Sequence, residues 1–415
     1  MVLSSERRFA TILNMKIYPR IYTEIIREHF AKYRQMVFLS GPRQVGKTTL
    51  VREQKPEYIS WDREKDRQLI LSGAEKIAEK IGLGALSEDK VTVAFDEIHR
   101  YPRWKTFLKG FFDSYENDVR VMATGSARMD VYKRGGDSMM GRYFPYRIHP
   151  FSVAEIIHSS SVPDESLICK PSEIDPKDWA ALWEYGGFPE PFTLRDRRFF
   201  RKWRDLRLEQ LLRSDVRDIS KTLEIDRIEC LAKILINRSS EQLVYSSLAR
   251  DLNVTEPTIK LWISILKSLY FGFEVRPWFK NVENSIRKTP KWFLRDWSMI
   301  EDDGKRAETF VACHLLKAVE MWTDLGYGEF TLNYLRDKRK REVDFIVSRD
   351  SSPWFLVEVK KGDEKLSAAL PVFQQMTGAR HAFQVVLDCA FVNRNCFDFT
   401  SPVVVPARTL LSQLV

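Results

Sequence analysis

At 415 residues the chain is long enough for two to four domains of about 100–200 residues each. Its formal net charge of +9 permits contact with a polyanion without requiring it, and 44% hydrophobic residues support packed cores and exclude wholesale disorder. Five Cys and six His, dispersed without C-x-x-C or H-x-x-x-H spacing, exclude a disulfide scaffold and a structural zinc site. No apolar run reaches the length of about eighteen residues that a membrane helix needs, and the start around Glu6, Arg7 and Arg8 lacks the pattern of a signal peptide. The expectation is a soluble, cytoplasmic, multidomain protein with no membrane association.

From Lys16 to Ile157 strand-like and helical stretches alternate. Met36–Ser40, Val91–Phe95 and Val119–Ala123 are short apolar runs that end at Gly41, Asp96 and Thr124-Gly125-Ser126. Runs of this kind separated by helices predict βαβ units and a mostly parallel sheet. Ser159 to Asp178 is rich in Ser, Pro and acids and reads as a linker; a helical stretch follows, broken at Gly186-Gly187-Phe188-Pro189. Leu248–Leu266 has apolar residues at helical spacing on either side of Val254-Thr255, a turn that carries a helix N-cap. With β-like Phe271–Val275 behind it, this predicts a winged helix-turn-helix. From Pro290 onward the pattern returns to mixed α/β. The expected division is a core over 16–158, a linker and helical lid over 159–225, a winged helix over 226–289 and a final α/β domain over 290–415.

Gly41-Pro42-Arg43-Gln44-Val45-Gly46-Lys47-Thr48-Thr49 fits G-x-x-x-x-G-K-[ST] between a strand and a helix. Glycines let backbone N–H groups wrap phosphates, and the helix N-terminus adds a favourable dipole. Lys47 is expected to reach the β and γ phosphates of a nucleotide and Thr48 to ligate Mg²⁺. Asp96, at the tip of a parallel strand, faces the ligand crevice and would hold Mg²⁺, directly or through water. Glu97 would orient or deprotonate the attacking water. Two positions keep two readings each. Ser126 is either a contact to the γ-phosphate or attacking water, or a helix N-cap. Arg142 is either an arginine finger acting on a neighbouring subunit's nucleotide in a homo-oligomer, or a surface arginine.

Arg341–Val347 and Trp354–Lys360 alternate in polarity around a turn-rich linker and predict a hairpin. Folding it symmetrically about Ser351 sets Asp344 opposite Glu358 and Glu342 opposite Lys360, all four on one face, with Val343, Phe345, Phe355, Val357 and Val359 on the other. Facing carboxylates repel, so Asp344 and Glu358 call for a cation between them; Mg²⁺ suits their oxygen ligands, and Lys360 would stabilise charge on a reacting phosphate. The alternative is a solvent-facing hairpin with a Glu342–Lys360 ion pair. Glu308, from the preceding helix, is a further candidate ligand, with Gln374 doing similar work from the following one; for both the competing reading is a surface polar residue.

On these residues the chain resembles a prokaryotic group of AAA-superfamily P-loop ATPases that carry a winged helix and a restriction-endonuclease-like C-terminal domain. The resemblance rests on Gly41–Thr48, Asp96-Glu97, Thr124-Gly125-Ser126, Gly141-Arg142, Pro150-Phe151-Ser152, Gly186–Pro189 and Pro290–Asp296. Asp344 with Glu358-x-Lys360 is similar to the PD-(D/E)XK nuclease signature, although Val343 stands where that signature has Pro. The resemblance implies an α/β P-loop NTPase core, ATP and Mg²⁺ as cofactors, ATP hydrolysis, and DNA as the partner of the rear half. Three functions follow as alternatives: an ATPase driving a DNA-binding half, an ATP-gated metal-dependent nuclease, or a slow nucleotide-regulated switch with an inactive nuclease-like fold. The helix from Glu256 to Lys267 offers only Lys260 and Lys267 as cations, so a lid or protein contact competes with DNA reading there.

Overall fold

The computed structural model describes residues 18–83, 89–125, 139–159, 162–219, 224–279, 289–363 and 365–415. Contacts divide the chain into two compact units, Met1–His149 with Ser159–Val162 and Pro150–His158 with Pro163–Val415. The segment Pro150–His158, expected as the end of the first domain, therefore packs with the second unit.

In the first unit β1 (Met36–Ser40), β2 (Glu57–Ser60), β3 (Val91–Asp96), β4 (Val119–Gly125) and β5 (Tyr143–Arg147) form one parallel sheet in the order β2-β3-β4-β1-β5. The three interior strands are those legible as apolar runs. Edge strands β2 and β5 are buried only in part, without an unbroken apolar run, and read too weakly to predict. The core gathers Phe38, Phe95, Phe111 and Phe112, each at most 2% exposed and each adding about 1.5–3 kcal/mol of burial. Phe111 and Phe112 come from α5 (Trp104–Tyr115), one of the helices that follow α1 (Ile21–Lys32), α2 (Lys47–Glu53), α3 (Glu64–Leu71) and α4 (Ala74–Lys80).

The second unit opens with α6 (Val153–His158), α7 (Pro176–Tyr185), α8 (Pro189–Leu194) and α9 (Arg197–Gln210), with a short helix α10 (Val216–Ile219) beyond a π-turn. Helices α11 (Ile225–Asn237), α12 (Tyr245–Asp251) and α13 (Glu256–Ser268) share an apolar core that includes Leu231, Leu248, Ile259 and Trp262. Thr255 caps α13 by accepting the N–H of Thr258. Strands β6 (Gly272–Pro277) and β7 (Lys291–Leu294) pair antiparallel and continue a sheet with β8 (Phe330–Arg336), β9 (Glu342–Arg349), β10 (Ser352–Lys360), β11 (His381–Val386) and β12 (Val403–Pro406). The order is β12-β11-β10-β9-β8-β6-β7, so the β-like stretch Phe271–Val275 read as a wing enters the same sheet as the C-terminal strands. Helix α14 (Asp303–Asp324) packs on this sheet with Trp322 against Phe330 of β8 and Trp354 of β10, while its Phe310 meets Trp179, Trp183 and Trp297; α15 (Ala369–Thr377) and α16 (Ala407–Ser412) complete the unit.

Three motif segments meet inside the second unit. The Phe151 N–H donates to Gly187 O at 2.7 Å, and Trp297 Nε1 donates to Leu182 O at 2.7 Å. A Cβ at Gly187 would stand 2.6 Å from Phe151 O and 2.8 Å from Trp297 Cη2, so the chain crossing needs glycine there. Arg207, nearly buried, lies 3.3 Å from Asp296 and stacks 3.8 Å over the Phe188 ring.

Candidate functional site

The first site lies at the C-terminal edge of the parallel sheet. A Cβ on Gly41 would come within 2.4 Å of Ile148 O, so only glycine lets the chain leave β1 past the end of β5. Left-handed backbone at Gln44 (φ 62) and Gly46 (φ 96) curls the loop into the geometry of an anion-binding nest around buried Val45. Arg20 ties that loop down: its Nη1 donates to Val45 O at 2.6 Å and its Nη2 donates to His149 O. Lys47, 6% exposed, donates from Nζ to Gly41 O and Pro42 O, both at 2.8 Å, so its ammonium stands over the loop mouth.

Topology brings the acid to the loop. Strand β4 lies between β1 and β3, with Thr124 beside Leu39. The Thr124 hydroxyl donates to Asp96 Oδ1 and accepts the Glu97 N–H at 3.1 Å. The Tyr58 hydroxyl donates to Asp96 Oδ2, and Thr48 Oγ1 stands 3.5 Å from both carboxylate oxygens. Burial and then Asp96 hold the Tyr58 phenol up at about 12, so it keeps the proton that it donates. Thr48 and Asp96 thus form the hydroxyl–carboxylate pair that a nucleotide-bound Mg²⁺ requires, and the residues present fit that ion.

Glu97 takes the left-handed conformation (φ 54), a strained one for a residue with a side chain, and its Oε2 lies 3.7 Å from His99 Nδ1. Burial first, then Arg100, Lys47 and Arg43, pull His99 down to about 4, so the imidazole beside Glu97 is neutral at pH 7. Arg142 joins the opposite edge of the sheet, where its carbonyl accepts the Met36 N–H; its guanidinium holds Asp113 through two bonds of 2.6 and 2.8 Å. Ser126 lies outside the described residues. Arg20, Tyr58 and Thr124 were not predicted. Thr124 sat in a recognised motif without a role, and nothing in the local sequence marks the other two.

The hairpin of the second unit has the predicted register, and a bulge sets it. Asp350 (φ 49) and Ser351 (φ 65) make a two-residue turn that pairs Ser352 with Arg349. A bulge between Pro353 and Phe355 then inserts one residue, giving Phe355–Val347, Leu356–Ile346 and Val357–Phe345, which carries Asp344 to the level of Glu358. Asp344 and Glu358 are buried, and Asp344 Oδ2 accepts the Val359 N–H at 2.9 Å.

The expected partners differ. Lys360 Nζ bonds Glu358 Oε1 at 2.8 Å, whereas Glu342 meets Arg336 at 3.5 Å and Lys291 at 2.5 Å. Lys291, 5% exposed on β7, also stands 3.6 Å from Asp344 Oδ1 and 3.8 Å from Glu308 Oε2. Burial alone would lower its ammonium; Asp344, Glu308 and Glu342 outweigh burial and hold it above the ordinary lysine range. Burial and then Asp344 raise the carboxyls of Glu308 and Glu358. Lys291 thus stands among Glu342, Asp344 and Glu308, and Lys360 beside Glu358. Among the described residues no group of three or more His, Cys, Asp or Glu is arranged to hold a metal. With the Lys291 ammonium 3.6 Å from Asp344 Oδ1, the positive charge expected there from Mg²⁺ is supplied by the protein itself. Gln374 takes no part: its Nε2 donates to the carbonyls of Ala379, Arg380 and Thr400. On α13, Lys267 is drawn to Glu274 at 2.7 Å, and Lys260 lies 5.4 Å from the Tyr245 ring.

A parallel sheet ordered β2-β3-β4-β1-β5, a glycine loop after β1 and an acid at the tip of β3 define a P-loop fold of the AAA type. In agreement, residues 33–157 match an AAA domain, residues 176–301 a domain of unknown function (DUF8612) and residues 303–393 another (DUF4143). An uncharacterized protein of Mycobacterium tuberculosis is 26% identical over 268 residues, 64% of this chain and 55% of that protein. One of Methanocaldococcus jannaschii is 24% identical over 306 residues, 65% of this chain and 63% of that protein. Both matches span less than two thirds of the relative's own length. The Walker-type ATPase paby2304 of Pyrococcus abyssi aligns with 68% of this chain and 95% of its own, at 19% identity and a TM-score of 0.38. No helix among the described residues is long and apolar enough to cross a membrane.

Proposed function

We propose that the first unit binds and hydrolyses ATP with Mg²⁺ and that its nucleotide cycle controls a nucleic-acid-interacting second unit. The observation that carries this reading is the convergence of Lys47, Thr48, Asp96 and Thr124 on the mouth of one glycine loop. Bound Mg²⁺ would neutralise charge between the β and γ phosphates; Thr48 and Asp96 are the residues that would hold it. The loop amides and Lys47 bind and orient the triphosphate. Glu97, fixed by its N–H bond to Thr124, positions the attacking water and takes its proton. Arg142 acts on a neighbouring subunit's nucleotide only after its Asp113 pair opens.

Nucleic acid as partner is supported by α9, where Arg198, Arg201 and Lys202 are exposed within five residues. That face offers more cation than α13, where Lys267 is already paired.

Calorimetry with Mg-ATP, alongside steady-state turnover with and without duplex DNA, tests the reading. Lys47→Ala is expected to lose nucleotide binding; Glu97→Gln is expected to bind ATP and hydrolyse it at least about a hundredfold more slowly. Turnover by Glu97→Gln at the wild-type rate removes its catalytic role, and absence of any nucleotide uptake by the folded wild type removes the whole reading. Arg201→Glu with Lys202→Glu is expected to weaken DNA binding and flatten its salt dependence; an unchanged salt slope would clear α9 of phosphate contact.

A further inference from the structure

We infer that the carboxylate cluster of the second unit is closed by Lys291, whose ammonium takes the place of a divalent cation, so that in the wild-type protein this nuclease-like constellation is structural and not a metal-dependent cleavage site. The inference goes beyond the nucleotide reading and does not depend on it.

Four carboxylates crowd the sheet face and the adjoining helix: Glu342 and Asp344 on β9, Glu358 on β10 and Glu308 on α14. Asp344 and Glu358 are buried and Glu308 and Glu342 partly so, and unpaired the four would repel. Lys291 answers three of them from a single atom, lying 2.5 Å from Glu342, 3.6 Å from Asp344 and 3.8 Å from Glu308. Lys360 answers the fourth, at 2.8 Å from Glu358.

The position of Lys291 is built into the sheet. Its backbone pairs with Val275 across the β6–β7 ladder and bridges to Gln242. Its Nζ lies 5.6 Å from the ring of Tyr334, which is itself held at both ends of its hydroxyl: it accepts from Gln242 Nε2 at 3.1 Å and donates to Thr289 O at 2.8 Å. A side chain 5% exposed and framed in this way has nowhere to withdraw without breaking those contacts. A divalent ion between Asp344, Glu358 and Glu308 would have to lie 2.0–2.6 Å from their oxygens, hard against the ammonium, and the two cations would repel in a site shielded from water. Lys291 therefore excludes the ion while supplying the charge that the ion would bring. Glu308 Oε2, buried and without a hydrogen-bond partner, is the oxygen left free if that ammonium is removed.

Full-length protein without nucleotide, titrated with Mn²⁺ and read by the electron paramagnetic resonance of free Mn²⁺, tests this. Wild type and Asp344→Asn are expected to take up the same number of ions. Lys291→Met is expected to take up one more per chain and to gain thermal stability from Mn²⁺, and the double variant Lys291→Met/Asp344→Asn to lose both gains. A wild-type ion that disappears in Asp344→Asn or Glu358→Gln overturns the inference, as does a folded Lys291→Met that gains none. Should Lys291→Met fail to fold, the wild type against the two carboxylate variants decides: equal uptake supports the closed cluster, a lost ion overturns it. Because nucleotide is absent throughout, the result is separable from success or failure of the ATPase reading.

Discussion

Thr124 donates its hydroxyl proton to Asp96 Oδ1 while its oxygen accepts the N–H of Glu97, so one side chain fixes both acids at the tip of β3. The isosteric Thr124→Val keeps the volume and removes both bonds. A hydrogen bond to a charged group is worth about 1.5–3 kcal/mol, so Mg-ATP turnover should fall about ten- to a hundredfold if that loss is felt in the transition state. The Michaelis constant for ATP should change little, because the loop amides and Lys47 are untouched. Unchanged turnover would show that Asp96 and Glu97 hold their places without Thr124.

What could be read in the sequence and what could not divide along a physical line. The glycine loop was legible because its chemistry is backbone chemistry and its residues are contiguous, and Asp96 because a strand tip is a defined place. That Asp344 and Glu358 share a face was legible from alternation, since side chains change face every residue, but the bulge between Pro353 and Phe355 that sets them level was not. Thr124 reaches Asp96 because β4 lies between β1 and β3, and Lys291 reaches Asp344 across the sheet from β7. No local pattern encodes either approach. Pro150-Phe151-Ser152, Gly186-Gly187 and Trp297 could be quoted as motifs, but their mutual packing belongs to the folded chain.

That packing gives a second prediction, read from two glycines. Gly110 lies within α5 with nothing near the position of a Cβ, so Gly110→Ala should stabilise by about 0.5–1 kcal/mol through lost chain entropy. Gly187→Ala would press a methyl against Phe151 O, Trp297 and Pro150, and should destabilise by about 1–3 kcal/mol or more. Denaturant unfolding of both variants checks the opposite signs; equal effects would mean that the Gly187 crossing relaxes freely.

His314 sets a pH dependence. Its Nδ1 donates to Phe310 O at 2.7 Å and its Nε2 accepts the Val153 N–H at 3.1 Å, so the folded unit holds the neutral ring. Burial pulls it down to about 3, with the nearby Lys317 adding to the fall, against 6.5 in the unfolded chain. Between those values only the unfolded chain takes up the proton. The stabilisation is therefore complete above about pH 6.5 and declines as pH falls, by about 1.4 kcal/mol per unit, reaching about 2 kcal/mol at pH 5. His314→Gln should flatten this slope without abolishing it, because burial also holds His158 and His381 below the ordinary value. Unfolding midpoints at pH 7.5 and 5 measure the difference; parallel losses in wild type and variant would place the titration elsewhere.

Lys317 and Glu155 are the most deeply buried ion pair in the second unit among the described residues, at 1% and 0% exposure. The ammonium donates to Glu155 Oε2, to Ser152 Oγ at 2.8 Å and toward Pro150 O at 3.4 Å, so α6 is held to α14 by charge where an apolar contact would also serve. Desolvating two charges offsets much of their attraction, whereas stranding one of them in the core is costly. Lys317→Met alone should destabilise by about 3–5 kcal/mol, and Glu155→Leu alone by a similar amount. The double variant, which buries no charge, should return to within about 1–2 kcal/mol of wild type. A double-mutant cycle by denaturant unfolding decides the point: a double variant as unstable as the sum of the two singles would mean that each residue acts through other partners, and that the pair does not hold α6 in place.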